Sequence, residues 1–500
     1  MLLSAVAVRA VKSDAMQAWL LRDKPHLTVS ILTVAVLAVT ALLLLAWWLL
    51  LSRARWTWRL AGAVAAGMLL SLFRHSGMSG DLTPTFEFRW SLPRSGAAVT
   101  ATNSGSAPVG GLTNLASFPQ FLGPNRNGVL PDVGLATNWS INPPAVLWRR
   151  PVGSGWSGFA VVGDRALTME QIGEEELVTC YALGTGELLW KHGYPSHFVS
   201  PIAGDGPRAT PTIVSNRVFT LGARGALTCL DFASGKPVWS RSLTNDFGAR
   251  LPEWGFSGSP LVSDGRVIIN VGGSSGRALV ALRADNGETV WSAGEDGVTY
   301  SSPGLFTVAG VRQILLFQNR AIVAHDPATG RILWRQPWGT HYPLVAMPVL
   351  VDDRRLMFSA GYNVGAELFE LRPGLDGALA PVSVWATKKL KAKFANPYAR
   401  AGFAYGLDDG ILACLDLKDG SQRWKEGRYG HGQGLLVGDL FLLLSEQGEL
   451  VQLRPSPDGP NELGRFRVFG DKSWNPPALV GDLLLVRNDR EAALLRLPTR

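Results

Sequence analysis

Residues 180–190 read CYALGTGELLW, and four further stretches end on tryptophan in the same way: CLDFASGKPVW at 229–239, ALRADNGETVW at 281–291, AHDPATGRILW at 324–334 and CLDLKDGSQRW at 414–424. Four residues before each tryptophan stands a glycine: Gly186, Gly235, Gly287, Gly330 and Gly420. Thr185, Ser234, Asn286, Thr329 and Asp419 precede them. Such a pair predicts a tight hairpin turn, because glycine accepts positive φ and a short polar side chain bonds to the local backbone. Ten residues before each tryptophan the side chain is small: Cys180, Cys229, Ala281, Ala324 and Cys414. That regularity predicts close packing between neighbouring sheets.

Outward from these five, Trp385 ends a more divergent sixth repeat and Phe466 takes the place of tryptophan in another. Trp148, in AVLWRRPV, has no hairpin before it. Successive marks at 148, 190, 239, 291, 334, 385, 424 and 466 are 39 to 52 residues apart, the spacing of four-stranded propeller blades. One unit displays the order: ATPTIVS, NRVFTLG, ALTCLDF and KPVWSRS, separated by turn residues. Residues 478–497 supply only three strands, so the strand around Trp148 is expected to complete that last blade and leave no open edge. The reading is an all-β, eight-bladed β-propeller over 119–500. Its structural docking residues are Trp148, Trp190, Trp239, Trp291, Trp334, Trp385 and Trp424. The three cysteines share one repeat position and are therefore expected to be unpaired core residues.

High glycine (56) and tryptophan (18) suit this turn-rich β architecture. The net charge of +8 is not a nucleic-acid signal, because residues 1–74 hold eight Lys/Arg against two Asp/Glu and 119–500 carry only +2. The basic excess flanks apolar segments, where it orients a membrane protein. After a tail over 1–26, residues 27–51 are 25 positions without a charge. As a helix they reach roughly 37 Å, enough for a hydrocarbon core. A basic loop at 52–59 precedes a second apolar run, which gives a probable second transmembrane helix over 60–74. Two topologies stay open: a hairpin with the basic loop cytoplasmic, or one span plus an interfacial helix. Both leave 75–500 outside, at the inner membrane with the propeller on the periplasmic side. Residues 75–118 read as a flexible linker, with 95–114 rich in Gly, Ala, Ser and Thr.

The A/C-x-D-x-x-T/S-G-x-x-x-W pattern resembles the tryptophan-docking repeat of pyrroloquinoline-quinone-like (PQQ-like) β-propellers. FLGPNRNGV at 121–129, GDGPRATP at 204–211 and YGLDDGILACLD at 405–416 look like segments of a bacterial PQQ-like group. The resemblance implies two classes of function, since that superfamily holds both dehydrogenases and non-catalytic scaffolds. Quinoprotein dehydrogenases bind PQQ with calcium at the axis and carry an adjacent Cys-Cys pair and often a haem motif. This chain has no Cys-Cys, no C-x-x-C-H and no mappable calcium-ligand set. The scaffold class includes the eight-bladed propeller lipoprotein of the outer-membrane β-barrel assembly machinery, although no lipobox is visible here. A binding or scaffolding role is therefore the expectation, with a PQQ-dependent oxidoreductase as the alternative.

Common catalytic motifs are missing: no H-E-x-x-H, Walker loop or EF-hand occurs, and the G-x-S-x-G match at 153–158 lies in a propeller loop out of register. A ligand site is expected where the loops leading into the inner strands converge. Those loops carry Trp156, His197, Arg208, Asp246, Arg250, Trp254, Tyr300, His341, Tyr342, Asn396, His431 and Trp474. Arg208 and Arg250, beside Trp254, suit a carboxylate or sugar acid. The expected partners are thus the membrane and either a protein or an anionic small molecule or sugar. The competing expectation is that these residues knit adjacent blades together. His197, His341 and His431 come from separate blades without metal-ligand spacing, so no metal is expected.

Overall fold

The five turn glycines adopt φ between 70° and 76°. Each turn folds the tryptophan back opposite the small residue ten positions earlier, giving the pairs Cys180–Trp190, Cys229–Trp239, Ala281–Trp291, Ala324–Trp334 and Cys414–Trp424. Immediately after each pair the register shifts by a bulge, as it also does after Leu368–Trp385 and Leu494–Trp148. Blade seven differs from the expectation: the pair before its bulge is Gln452–Gly464, so Gly464 stands at the tryptophan position, and Phe466 lies two residues further on, opposite Leu450. The computed structural model describes residues 29–80, 84–90, 117–200, 202–273, 275–339, 343–374 and 377–500. His341, Tyr342 and the spacer at 95–114 lie outside them.

Eight antiparallel meanders follow in chain order, at 160–195, 212–242, 261–293, 304–337, 349–387, 398–428, 433–467 and 478–496. The first seven each supply four strands of their own. The eighth supplies three and is completed by Ala145–Pro151, which pairs antiparallel with Glu491–Arg496. The ring therefore closes as the repeat count requires. All three cysteines are free and buried, and burial pushes each thiol up to about 12. At neutral pH they are inert core groups.

Adjacent blades are joined by the docking indoles. Trp148, Trp190, Trp239 and Trp291 donate their Nε1–H to backbone carbonyls of the following blade, at Leu183, Phe232, Ala284 and Pro327. Trp385 and Trp424 do the same to Leu417 and Ser456. Trp334 departs from the rule and donates to Gln313 Oε1 of its own blade at 2.7 Å. The turn glycine of the next repeat lies under five of these rings, those of Trp148, Trp190, Trp239, Trp291 and Trp385: a Cβ on Gly186 would come 2.8 Å from Trp148, and one on Gly420 2.7 Å from Trp385. These glycines thus serve the turn and the docking contact at once.

A segment that the repeat does not predict crosses the axis. Phe118 exchanges both backbone hydrogen bonds with Val161 of the first inner strand, and Pro119 accepts from Ile213 N–H of the second. Val129–Leu130 then runs parallel to Gln433–Val437 as a fifth strand on the axial edge of blade seven. The chain leaves past the C-terminus, where Ala136 N–H donates to Pro498 O and Arg500 N–H to Gly134 O. FLGPNRNGV is this crossing. Leu122, Gly123, Arg126 and Gly128 all have positive φ, and a Cβ on Gly128 would lie 2.7 Å from the Tyr398 ring.

Among the described residues, the N-terminal unit has two helices, α1 (Val29–Leu50) and α2 (Trp56–Ser71). Within α1, Thr33–Leu50 is long and apolar enough to cross a membrane. The expectation of a second span over 60–74 is not supported. Helix α2 has 16 residues, roughly 24 Å against a core of about 30 Å. Its Arg59 bonds the carbonyls of Leu49 and Ala54 at 2.9 Å each, satisfying groups left open at the end of α1. Phe73–Met78 and Pro84–Phe88 form a hairpin that begins inside the stretch read as a second helix and continues into the one read as linker.

Candidate functional site

The loops that lead into the inner strands share one face of the ring, the upper face, with the loops joining each blade's second and third strands. Both sets carry aromatic residues, and they meet in two clusters. In the first, Trp156 and Trp474 lie 4.8 Å apart, Phe394 is 5.2 Å from Trp474, and His431 meets Phe394 edge-on at 5.4 Å. Glu446 organises this group by accepting from His431 N–H at 2.9 Å and from Trp474 Nε1–H at 3.1 Å. The Lys472 ammonium sits 4.1 Å from the Trp474 ring centre and 5.0 Å from that of Trp156. Burial holds its pKa below the usual lysine value and raises that of the neighbouring Asp489 carboxyl.

The second cluster stacks Trp254 on Tyr300 at 5.1 Å and sets it 6.4 Å from Tyr362. Lys393 lies 5.3 Å above Tyr362. Trp254 N–H also donates to the Tyr300 hydroxyl at 3.3 Å. Burial raises the phenol pKa of both tyrosines. Arg208 lies 4.7 Å over Phe198, and burial lowers it to about 10. Arg208, Lys393 and Lys472 are therefore covered by rings of the same chain.

Other sequence candidates take different places. Asp246 sits on a short helix, Leu243–Phe247, and pairs with Arg241 at 2.7 Å. Asn396 Oδ1 accepts from Met347 N–H at 2.7 Å, joining two blades as the structural expectation has it. His197 meets Glu174 at 3.1 Å on the exposed rim. Arg250 is exposed and forms no hydrogen bond or ion pair among the described residues, so nothing draws it to Arg208. Among the described residues, no group of three or more His, Cys, Asp or Glu side chains is placed to hold a metal ion.

Sequence reasoning missed Phe394, Tyr362, Lys393, Lys472 and Glu446. The usable signal was topological. Tyr362 and Glu446 sit in the loops between second and third strands, which open on the same face as the loops that were searched. In YGLDDG, Asp408 is buried and receives Lys425 at 2.6 Å and Lys391 at 2.9 Å, while Asp409 takes Lys391 as well.

Known proteins share this architecture. BamB from Moraxella catarrhalis superposes with a TM-score of 0.50 and 16% identity, covering 71% of this chain and 98% of that one. Quinohemoprotein alcohol dehydrogenase from Comamonas testosteroni superposes at 0.54 with 13% identity, over 76% and 80% of the two chains. At such identities the likeness is one of fold. In sequence, the outer membrane protein assembly factor BamB of Moranella endobia (strain PCIT) is 24% identical over 296 residues, 56% of this chain and 73% of that protein. The family model described as outer membrane protein assembly factor BamB matches residues 174–426. That stretch is half of the chain and holds six of the tryptophan marks, so the protein belongs to that family.

Proposed function

We propose that this protein is a scaffold of the bacterial envelope, held in the inner membrane by the helix Thr33–Leu50 and presenting its upper face to a protein partner on the periplasmic side. One contrast carries the reading: the interior of that face is spent on its own chain, and the stretch of rim at Val199, Arg250 and Leu251 is exposed. Glu176 accepts from Ala223 N–H and Tyr194, and Glu446 from His431 and Trp474. Around them Val199 and Leu251 are 54% and 41% exposed beside the exposed Arg250. Apolar groups rimmed by arginine suit a protein surface. Relatives named for outer-membrane protein assembly agree with it.

The alternative, PQQ with calcium, fits these residues poorly. Glu170 is taken by Gly153 N–H and the Tyr181 hydroxyl, so it, Glu176 and Glu446 are all occupied. Trp156–Trp474 and Trp254–Tyr300 pack on each other instead of parting for a planar quinone. No oxidation step is assigned to the face.

Two experiments test the proposal. An alkaline phosphatase fusion after Asn114 should be active and a β-galactosidase fusion inactive; the reverse pattern removes the extracytoplasmic placement. Photo-crosslinking from residue 199 in intact cells should capture a protein. The double variant Leu251→Asp, Arg250→Glu should lose that adduct with Tm unchanged. An undiminished adduct refutes the rim as a docking surface.

A further inference from the structure

The crossing segment does more than close the axis: it carries a cation into a cavity. Between residues 120–129 and the inner strands of blades three to six lies a cavity of about 460 Å³. Leu122, Val262, Leu305, Phe306, Met347 and Val349 line it, and Arg126 is the charged residue in its wall. Its size is that of small-molecule sites, and Gln120, Asn127, Thr307 and Asn396 add polar groups beside the apolar ones.

Arg126 is 5% exposed. Its Nη1 donates to Gln120 Oε1 at 3.0 Å and Pro260 O at 2.9 Å, and Nη2 to Ser259 O at 3.0 Å. All three acceptors are neutral, and Nε–H has no partner. No described acid offsets the desolvation, which lowers the guanidinium to about 9. A second buried arginine supplies the contrast. Arg487 is fully buried, and its Nε, Nη1 and Nη2 all bond neutral oxygens, with Glu170 acting favourably on its charge. Arg487 is therefore a finished staple between the last blade and the first, and Arg126 an unfinished one. The backbone is strained to place it, at φ 52°. Such conformations persist where the surroundings hold a side chain to a task.

We infer that this axial cavity binds a small organic monocarboxylate with an apolar body, Arg126 supplying the counter-charge and the inner strands of blades three to six the apolar wall. A single guanidinium matches one carboxylate in charge and shape. A phosphate dianion would need a second cation, and among the described residues Arg126 is the one charged residue in the wall. This site is separate from the upper-face rim, and either can fail without the other.

The test uses the full chain in nanodiscs with phenylacetate as probe and 2-phenylethanol as its uncharged counterpart, read by calorimetry and by Tm. Phenylacetate should bind and raise Tm, with the alcohol about tenfold weaker or worse. Arg126→Met should abolish the preference for the acid. Val262→Trp, which fills the cavity and keeps the arginine, should abolish binding of both, and it serves should Arg126→Met not fold. Equal binding of acid and alcohol, binding unchanged in Val262→Trp, or no binding at millimolar phenylacetate would each overturn the inference and leave Arg126 a structural staple.

Discussion

Trp239 covers Gly287 so closely that a methyl group on the glycine would lie 2.8 Å from the indole Cδ2. Gly287 has φ 74°, and Gly163, in an open turn, has φ 60° with nothing within 4 Å of its virtual Cβ. The pair separates backbone strain from docking. Gly163→Ala should cost about 1 kcal/mol, the left-handed penalty alone. Gly287→Ala should cost about 3 kcal/mol, because the indole must also move. Urea unfolding of both variants gives the difference, and equal costs would mean that the docking contact is soft.

The fifth tryptophan mark breaks the inter-blade rule. Trp334 Nε1 reaches Gln313 of its own blade, where the amide is wholly buried. Gln313→Leu should leave that indole N–H unsatisfied and lower stability by about 1–3 kcal/mol. The same measurement on Trp334→Phe should return part of the loss when combined with Gln313→Leu, as a double-mutant cycle of contacting groups requires.

Ring closure rests on residues before 152. A chain starting at Val152 lacks both the strand Ala145–Pro151 and the axial crossing. It should expose the edges of Glu491–Arg496 and Gln433–Val437 and aggregate, whereas 117–500 stays monomeric in light scattering. A monomeric, equally heat-stable shorter chain would refute closure by this strand.

The Asp408 network sets an acid limit. Burial alone would raise this carboxyl, but bonds from Lys425 and Lys391 outweigh it and hold the pKa below the usual carboxylate value. A depressed folded pKa gives stability that is complete above the unfolded value, near pH 4, and lost as pH falls through the lower folded one. Asp408→Asn should cost about 2 kcal/mol at pH 7 and flatten the fall in Tm between pH 5 and the acid range. An unchanged acid profile would place the pH sensitivity elsewhere.

Blade number, six of the inter-blade docking tryptophans, the free cysteines and the closing strand were legible, because a repeat states the same physical requirement several times. A glycine that must be left-handed and a tryptophan four residues later need no tertiary knowledge to read. The axial crossing had no such redundancy. Phe118, Pro119 and Val129 are held through backbone bonds to strands from Val161 to Val437, and backbone pairing leaves little imprint on side-chain choice. The clusters on the upper face were half legible: Trp156, Trp254, Tyr300, His431 and Trp474 were found, the loops supplying Tyr362 and Glu446 were not searched, and Phe394 was passed over in the loop that supplied Asn396. The second span failed on length, since α2 stops at Ser71 and the chain turns into a hairpin at Phe73.

Arg149 and Glu491 form an ion pair at 3.1 Å across a sequence separation of 342 residues, inside the strand pair that shuts the ring. At ordinary rates of synthesis the first partner waits roughly 20–70 s for the second to be made. Through that interval seven meanders can fold one by one, yet the strand holding Trp148 has no mate. Closure of the ring therefore waits on the synthesis of residues 491–496. A product cut short anywhere before residue 491 keeps an unsatisfied strand at its beginning, a mark by which proteases and chaperones can distinguish every unfinished copy from a finished one.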